Sequence, residues 1–274
     1  MEFRFSDKLR EMKPSAIREI FKSLGTPGAI SFAGGNPAPE SFPVDAIAEI
    51  SADILRDNAT AALQYSTTEG YPKLRELVAD RIKTKFSVGR DFDSTIITSG
   101  GQQGIELACK VLCNEGDTVI AENPSFIGAL NAFRSLGANL VGVDMEEDGI
   151  NLAALEETLK NTPNAKLLYL IPTFHNPCGT CMSYEKRVAV LALAKKYDVI
   201  IIEDNPYGEL RLPARKSRPS RAWTTKAAWF TAVRSPRFCL PVCASASSAH
   251  MRISLQRSSL QSRLRTFIPT SSSR

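Results

Sequence analysis

The chain has 274 residues, of which 43% are hydrophobic and 23% charged, and it lacks the roughly eighteen consecutive apolar residues that a membrane span needs. This composition excludes a membrane-spanning protein and a wholly disordered one, and the length suits one large domain or two small ones. The net charge of +5 is the sum of two unlike parts. Residues 1–209 hold all 29 acidic residues and carry −8, whereas residues 210–274 hold 13 basic residues and no acid.

The N-terminal part is predicted to consist of helices separated by an irregular segment. Pro14–Leu24 is predicted to form a helix with proline in its first turn and Gly25 at its end. Residues 26–43 are rich in glycine and proline and are predicted to be irregular, with helices over roughly 45–57 and 72–86 after them. The first residues show no basic segment followed by an apolar stretch, so a cytoplasmic location is expected and the six cysteines are expected to be reduced.

From residue 95 to residue 204, short β-branched runs alternate with helical patterns. The predicted strands are Thr95–Thr98, Thr118–Ala121, Asn139–Val143, Lys166–Ile171 and Val199–Glu203. The predicted helices are Gln102–Cys113, Ser125–Ser135, Leu152–Lys160 and a last one that Ser183 caps and that runs to Tyr197. Such alternation predicts an α/β fold with a mainly parallel sheet and helices on both faces.

A run of small residues joins the first predicted strand to its helix. Gly100 and Gly101 precede the helical pattern and Gly104 lies within it, so the turn would present backbone N–H groups and a positive helix end to an anion. The spacing matches neither the Walker pattern nor the dinucleotide fingerprint, which disfavours a dehydrogenase-like nucleotide domain. A phosphate site and a plain tight turn both remain open from this segment alone.

Polar clusters follow three later strands, and ligands of α/β sheets gather at such strand ends. These clusters are Glu122–Phe126, Pro172–Gly179 and Glu203–Tyr207. Taken singly, Phe126 fits a core position, and Asn176 and Asp204 fit the capping of turns. With only two histidines in the chain, chemistry built on a histidine base is poorly supplied. No metal site is predicted, because Cys178 and Cys181 have only Cys239 and Cys243, in the unusual tail, as a possible second pair.

In this order, the clusters resemble the fold-type I pyridoxal phosphate enzymes of aminotransferase class I/II, especially the 2-aminoadipate and aromatic aminotransferases. The resemblance covers residues 10–211 and also rests on the segments Ser15–Ile20, Ile30–Pro37 and Gln64–Gly70. It implies the cofactor pyridoxal 5'-phosphate (PLP), an amino acid and a 2-oxo acid as substrates, and a homodimer. No nucleic-acid or membrane partner is expected.

The same resemblance implies a role for each cluster in holding PLP. Gly101 and Gln102 would bind the phosphate, Phe126 would stack on the pyridine ring where the family often has tyrosine, and Asp204 would pair with the protonated ring nitrogen. Asn176 and Tyr207 would bind the phenolic oxygen.

The resemblance also implies residues outside the cofactor pocket. Tyr65 would reach the phosphate of the neighbouring subunit, and Gly35 would approach the substrate carboxylate. Arg18 would bind a side-chain carboxylate of the substrate, although an ordinary surface position in its helix is the alternative.

One expected element is missing, namely the Schiff-base lysine, which the family carries in a Ser-Phe-Ser-Lys segment. After Asp204 only Lys216 and Lys226 remain, and neither lies in such a context. Codons permitted for Ala232–Ala244 can, however, be read in a shifted frame as SSFSKILSPGMR, so we hypothesise a frameshift near Leu212. The nucleotide sequence around Leu212 tests this hypothesis, because codons that forbid the shifted reading would remove it.

The predicted organisation is therefore an N-terminal arm with part of a small domain at 1–57, an incomplete PLP-binding domain at 58–211, and an aberrant, disordered basic tail at 212–274. A frameshifted tail carries basic residues without a selected binding face, which disfavours a nucleic-acid-binding arm. The predicted function is amino transfer, with this chain itself inactive for lack of the lysine. The alternative is a catalytically dead protein that binds PLP or phosphate.

Overall fold

The computed structural model of the chain describes residues 39–89, 93–208, 229–233 and 249–254. A short 3₁₀ turn at Pro39–Ser41 precedes two helices, α1 (Val44–Leu63) and α2 (Pro72–Phe86). The backbone of α1 leaves helical geometry at Asn58, with φ −141°. The predicted boundary at residue 57 therefore lies within α1, immediately before this kink. The predicted helix Pro14–Leu24, with Arg18, and the residue Gly35 lie outside the described residues.

A single large sheet forms the centre of the fold. The five strands predicted between residues 95 and 203 are present with ends within three residues of the prediction, and the two-residue strand Gly149–Ile150 was not predicted. Its strands are β1 (Asp93–Thr98), β2 (Thr118–Asn123), β3 (Asn139–Glu146), β4 (Gly149–Ile150), β5 (Ala165–Leu170), β6 (Ile200–Asp204), β7 (Trp229–Val233) and β8 (Ala249–Ser254). Four helices connect them: α3 (Gly101–Leu112), α4 (Ile127–Ser135), α5 (Leu152–Asn161) and α6 (Tyr184–Lys196).

The order of the strands is β1-β8-β7-β6-β5-β2-β3-β4. β8 runs antiparallel to both of its neighbours, β1 and β7, whereas β7, β6, β5, β2 and β3 are parallel to one another. It follows that β1 points in the same direction as the parallel strands. The carboxyl ends of β1, β2, β5, β6 and β7 therefore lie on one edge of the sheet, which we call the carboxyl edge.

Helices cover both faces of the sheet, as predicted. On one face, α3 and α4 pack Ile105 and Phe133 against Tyr169 and Ile202. On the other face, α5 and α6 contribute buried residues such as Leu155 and Val190. The run of buried residues along β5 alternates between the two cores, because successive strand side chains point to opposite faces.

Two side-chain caps and an ion cluster fix the second layer of helices. Asn151 accepts the backbone N–H of Ala154 at 2.8 Å, and Ser183 caps α6 as the sequence predicts. Lys186 bonds both Glu146 and Asp148, the latter at 2.7 Å. Burial alone would lower the pKa of Lys186, but these hydrogen bonds outweigh burial and raise the pKa. The cluster thus ties α6 to the turn between β3 and β4.

The expectation that residues 212–274 are disordered is wrong for two segments. Trp229–Val233 and Ala249–Ser254 are strands β7 and β8, with β7 in register with β6 from Ile201–Trp229 to Asp204–Ala232. The rest of the tail lies outside the described residues. A strand edge pairs through main-chain N–H and C=O groups, so a segment of aromatic and β-branched residues can extend β6 whatever its origin. Within the described ranges, no helix has the length and hydropathy to cross a membrane.

Candidate functional site

The carboxyl edge collects the segments that the sequence singles out. Gly101 begins α3 just beyond β1, Phe126 lies three residues beyond β2, and Asn176 lies in the loop beyond β5. Asp204 is the last residue of β6. Because all four strands end on the carboxyl edge, these residues all lie at that edge of the sheet.

The turn before α3 has the shape of an anion-binding helix start. Gly100 has φ 90°, a conformation that a side chain would disfavour, and Gly101 is buried. The hydroxyl of Thr98 donates to the carbonyl of Gly100 at 3.0 Å, and Gln103 accepts the N–H of Ser99 at 2.6 Å. The turn is therefore fixed from both sides, and the first N–H groups of α3 point out of the helix end.

Gln102 and Phe126 meet at the first turn of α4. The side-chain amide of Gln102 donates to the carbonyl of Gly128 at 2.8 Å. A Cβ on Gly128 would approach the Phe126 ring to 2.5 Å and Gln102 Oε1 to 2.9 Å, so only glycine leaves room for this arrangement. The half-buried Phe126 ring and the start of α3 are thereby held together at the carboxyl edge.

Glu122 and His175 form a buried pair that sequence reasoning missed. Glu122 Oε2 accepts the backbone N–H of Ile171 at 2.7 Å and lies 3.2 Å from His175 Nε2. The backbone N–H of Cys178 donates to the other ring nitrogen at 3.4 Å. The pair connects the end of β2 to the loop that carries Asn176. The only signal in the sequence was an acid directly after the predicted strand Thr118–Ala121.

We expect Glu122→Ala to lower the free energy of unfolding by about 2–3 kcal/mol, because the buried N–H of Ile171 would lose its carboxylate acceptor and the ring of His175 would lose the carboxylate beside it. Glu122→Gln keeps an acceptor oxygen and is expected to cost less than about 1 kcal/mol. Urea unfolding followed by circular dichroism measures both. Equal stability of the alanine variant and the unaltered chain would show that this acid does not anchor the loop.

The other side of the Asn176 loop is anchored by Arg187, which is buried in α6. Its guanidinium donates to the carbonyl of Pro172, to the carbonyl of Met182 at 3.0 Å and to the hydroxyl of Thr173 at 3.1 Å. Across the loop, the N–H of His175 donates to the carbonyl of Thr180 at 2.8 Å. The half-buried Asn176 therefore sits at the tip of a loop held from both sides.

At the centre of the edge lies a buried acid with a fixed partner. Asp204 is 1% exposed, and its Oδ2 accepts the hydroxyl of Tyr169 at 2.8 Å. Asn205 is buried beside it, and Tyr207 is half-buried in the turn that follows. Tyr169 was not singled out from the sequence, because in a run of leucines it is indistinguishable from a core aromatic.

The remaining predicted residues lie apart from this cluster or outside the described ranges. Tyr65 is 99% exposed, and its segment contacts β1, where the N–H of Ile97 donates to the carbonyl of Glu69 at 2.9 Å. Among the described residues, no group of His, Cys, Asp and Glu could hold a metal ion. Cys109 is buried, and the hydrogen bond that the Cys113 thiol donates to it, together with burial, raises the pKa of Cys113.

Comparison with known proteins gives this site a context. The family model described as aminotransferase class I and II matches residues 28–236. The aromatic-amino-acid aminotransferase 1 of Thermococcus litoralis is 41% identical over 223 residues, which are 80% of this chain and 54% of that protein. The 2-aminoadipate transaminase of Thermus thermophilus is 42% identical over 208 residues, 74% of this chain and 51% of that protein. The chain thus spans about half the length of these curated relatives.

Solved structures show the same fold. The kynurenine aminotransferase of Pyrococcus horikoshii, solved with pyridoxamine phosphate (PMP), matches with a TM-score of 0.83 and 33% identity over 91% of this chain and 62% of that one. The α-aminoadipate aminotransferase of Thermus thermophilus, solved with N-(5'-phosphopyridoxyl)-L-leucine, matches with a TM-score of 0.76 and 32% identity over 96% of this chain and 64% of that one.

Proposed function

Because this chain belongs to the aminotransferase class I and II family, we propose that its carboxyl edge binds PLP and that its function is amino transfer between an amino acid and a 2-oxo acid. The observation that carries the proposal is Asp204, a carboxylate 1% exposed at the end of a central parallel strand. A buried carboxylate at this place can pair with a cationic ligand, and the protonated pyridine nitrogen of PLP is such a cation.

The other residues of the edge fit the rest of the cofactor. The glycine turn at Gly101 offers N–H groups to a phosphate, and Phe126 offers an aromatic face to a pyridine ring. Within the described part of the chain, no group bonds the buried hydroxyl of Ser125, which lies beside Phe126. These are the donors, the ring and the acid that PLP demands, and Asn176 and Tyr207 would add an amide and a phenol for its phenolic oxygen.

When bound, PLP draws electrons from the α-carbon of an amino acid, and the chain contributes by positioning and charge. Asp204 would hold a proton on the ring nitrogen, and Phe126 would hold the ring plane. The loop anchored by Glu122 and Arg187 would fix Asn176. The substrates proposed are those of the aromatic and 2-aminoadipate type, from the relatives that the chain matches.

A homodimer belongs to the same proposal. Tyr65 is 99% exposed, which supports a role in the site of a neighbouring subunit. None of the twenty residues of α1 is buried, and its large exposed apolar residues are Val44, Ile50, Ile54, Leu55 and Leu63. An apolar helix surface of this kind favours coverage by a second chain.

The second candidate function is that of a catalytically dead PLP-binding protein. For the chain with its present residues after Asp204, we propose that PLP binds without turnover. Its support is the sequence after Asp204, where Lys216 and Lys226 lie in Arg-Lys-Ser and Thr-Lys-Ala contexts. A titration with PLP followed by absorbance, with inorganic phosphate as competitor, tests the binding. Saturable binding with no specific lysine adduct after borohydride reduction is expected. Absence of saturable binding would overturn the proposed function, and a specific adduct with turnover would overturn the inactivity.

Gly128→Ala is expected to weaken PLP binding about tenfold, because the new Cβ would push the Phe126 ring and Gln102 from their places. Gly116→Ala is a contrasting variant, since its Cβ would meet no atom within 4 Å but its φ of 83° strains any side chain. It should lower stability and leave PLP affinity unchanged. Equal affinity of the Gly128→Ala variant and the unaltered chain would place Phe126 outside the pocket.

A further inference from the structure

Tyr169 donates a side-chain hydrogen bond to Asp204. Its side chain is fully buried, and its hydroxyl donates to Oδ2 at 2.8 Å. The parallel register places Tyr169 beside Ile202, so Asp204, two residues further along β6, lies on the same face of the sheet. The bond is therefore a diagonal contact between neighbouring central strands.

The tyrosine ring has little freedom to move. It meets the ring of Phe133 edge to face, with centroids 5.5 Å apart and an interplanar angle of 72°. The surrounding core on this face includes Ile105, Ala129 and Leu167. Because these contacts hold the ring, its hydroxyl is a fixed donor, and the carboxylate of Asp204 must orient to meet it.

A purely structural role does not explain the hydroxyl. The core residues that cluster with the ring are apolar, and phenylalanine would pack among them without bringing a polar atom that then needs a partner. A donor fixed on a buried carboxylate favours the ionised form and restricts rotation of its two oxygens. An ionised carboxylate with fixed oxygens is suited to pair with the protonated nitrogen of a ligand.

We propose that Tyr169 is a positioning residue that keeps the Asp204 carboxylate ionised and turned towards the pyridine nitrogen of PLP. The inference rests on the proposed function, because it requires PLP at the carboxyl edge. Tyr169 acts through Asp204 and does not itself contact the cofactor. Its removal should therefore weaken only ligands that carry the ring nitrogen.

The test compares PLP with its 1-deaza analogue, in which a carbon replaces the ring nitrogen, on the unaltered chain and on Tyr169→Phe. We expect Tyr169→Phe to weaken PLP about tenfold and the deaza analogue less than about twofold, because only the first ligand uses the acid. The ratio of the two dissociation constants does not depend on the folded fraction, so partial unfolding of the variant leaves the readout valid. Phe133→Leu, which loosens the ring contact and keeps the hydroxyl, should lower stability and change the ratio less than Tyr169→Phe does, because the donor to Asp204 is still present.

A double-mutant cycle tests whether Tyr169 acts through Asp204. In an Asp204→Asn background, Tyr169→Phe should have no further effect on PLP affinity, since the group through which it acts is gone. Equal weakening of both ligands by Tyr169→Phe, or additive effects of the two substitutions, would overturn the inference while the proposed function stands. Failure of the unaltered chain to bind PLP would overturn both.

Discussion

A chain whose residues from 212 onwards are rewritten in the shifted reading frame is expected to form a covalent adduct with PLP, where the present chain forms none. The shifted text places Ser-Phe-Ser-Lys directly after the position of β7. β7 is parallel to β6, and Ala232 pairs with Asp204, so the end of β7 lies beside that acid at the carboxyl edge. A lysine there would be next to the pocket proposed for the cofactor. Borohydride reduction and peptide mapping should find about one phosphopyridoxyl group per chain, on that lysine.

The matched control is the same shifted-frame chain with alanine in place of that lysine. It should bind PLP and give no adduct, which separates loss of the reacting amine from loss of the pocket. Two results would contradict the frameshift hypothesis. One is a shifted-frame chain that binds PLP but remains unmodified. The other is a specific adduct on Lys216 or Lys226 of the present chain.

Asp204→Asn is expected to weaken PLP binding about a hundredfold, equal to about 2.7 kcal/mol. Asparagine fills nearly the same volume and can still accept the hydroxyl of Tyr169, but it carries no charge for a pyridinium nitrogen. Losing one partner of a buried charge pair costs about 2–5 kcal/mol, and the expected loss lies within that range. Equilibrium dialysis against PLP measures the change, and the deaza analogue should bind both chains alike.

Asp198→Asn is a matched control for this substitution, since it removes the same charge from an exposed residue just before the other end of β6. Asp198 has φ 54°, a conformation that asparagine also adopts readily, so folding should not suffer. PLP affinity should stay unchanged in this variant. If Asp204→Asn binds as tightly as Asp198→Asn does, the acid at the end of β6 does not face the cofactor.

Local signals in the sequence were sufficient for most of the elements. Ser183 caps α6 as predicted, Pro72 begins α2, and the glycine turn at Gly101 opens α3. Each of these depends on a few adjacent residues whose backbone preferences act over one turn of chain. The kink of α1 at Asn58 escaped prediction, because the helical pattern continues through it.

Contacts between distant segments could not be predicted in the same way. Glu122 and His175 are 53 positions apart and Tyr169 and Asp204 are 35 apart, and none of the four carries a local sign of its partner. The two strands in the tail were also not predicted, since β7 pairs with β6, and β8 pairs with β7 and β1, all of which are distant in sequence or in the tail itself.

The sequence by itself determined the alternation of strands and helices, the residue types that follow each strand, and the change of composition after residue 209. These depend on periodicity and turn chemistry, which act between neighbours in the chain. Only the tertiary structure decided that β8 lies between β1 and β7, that one edge collects Gly101, Phe126, Asn176 and Asp204, and that Tyr169 donates to the acid. Strand order and side-chain contacts of this kind follow from how the whole sheet buries its two faces, which no local window of residues contains.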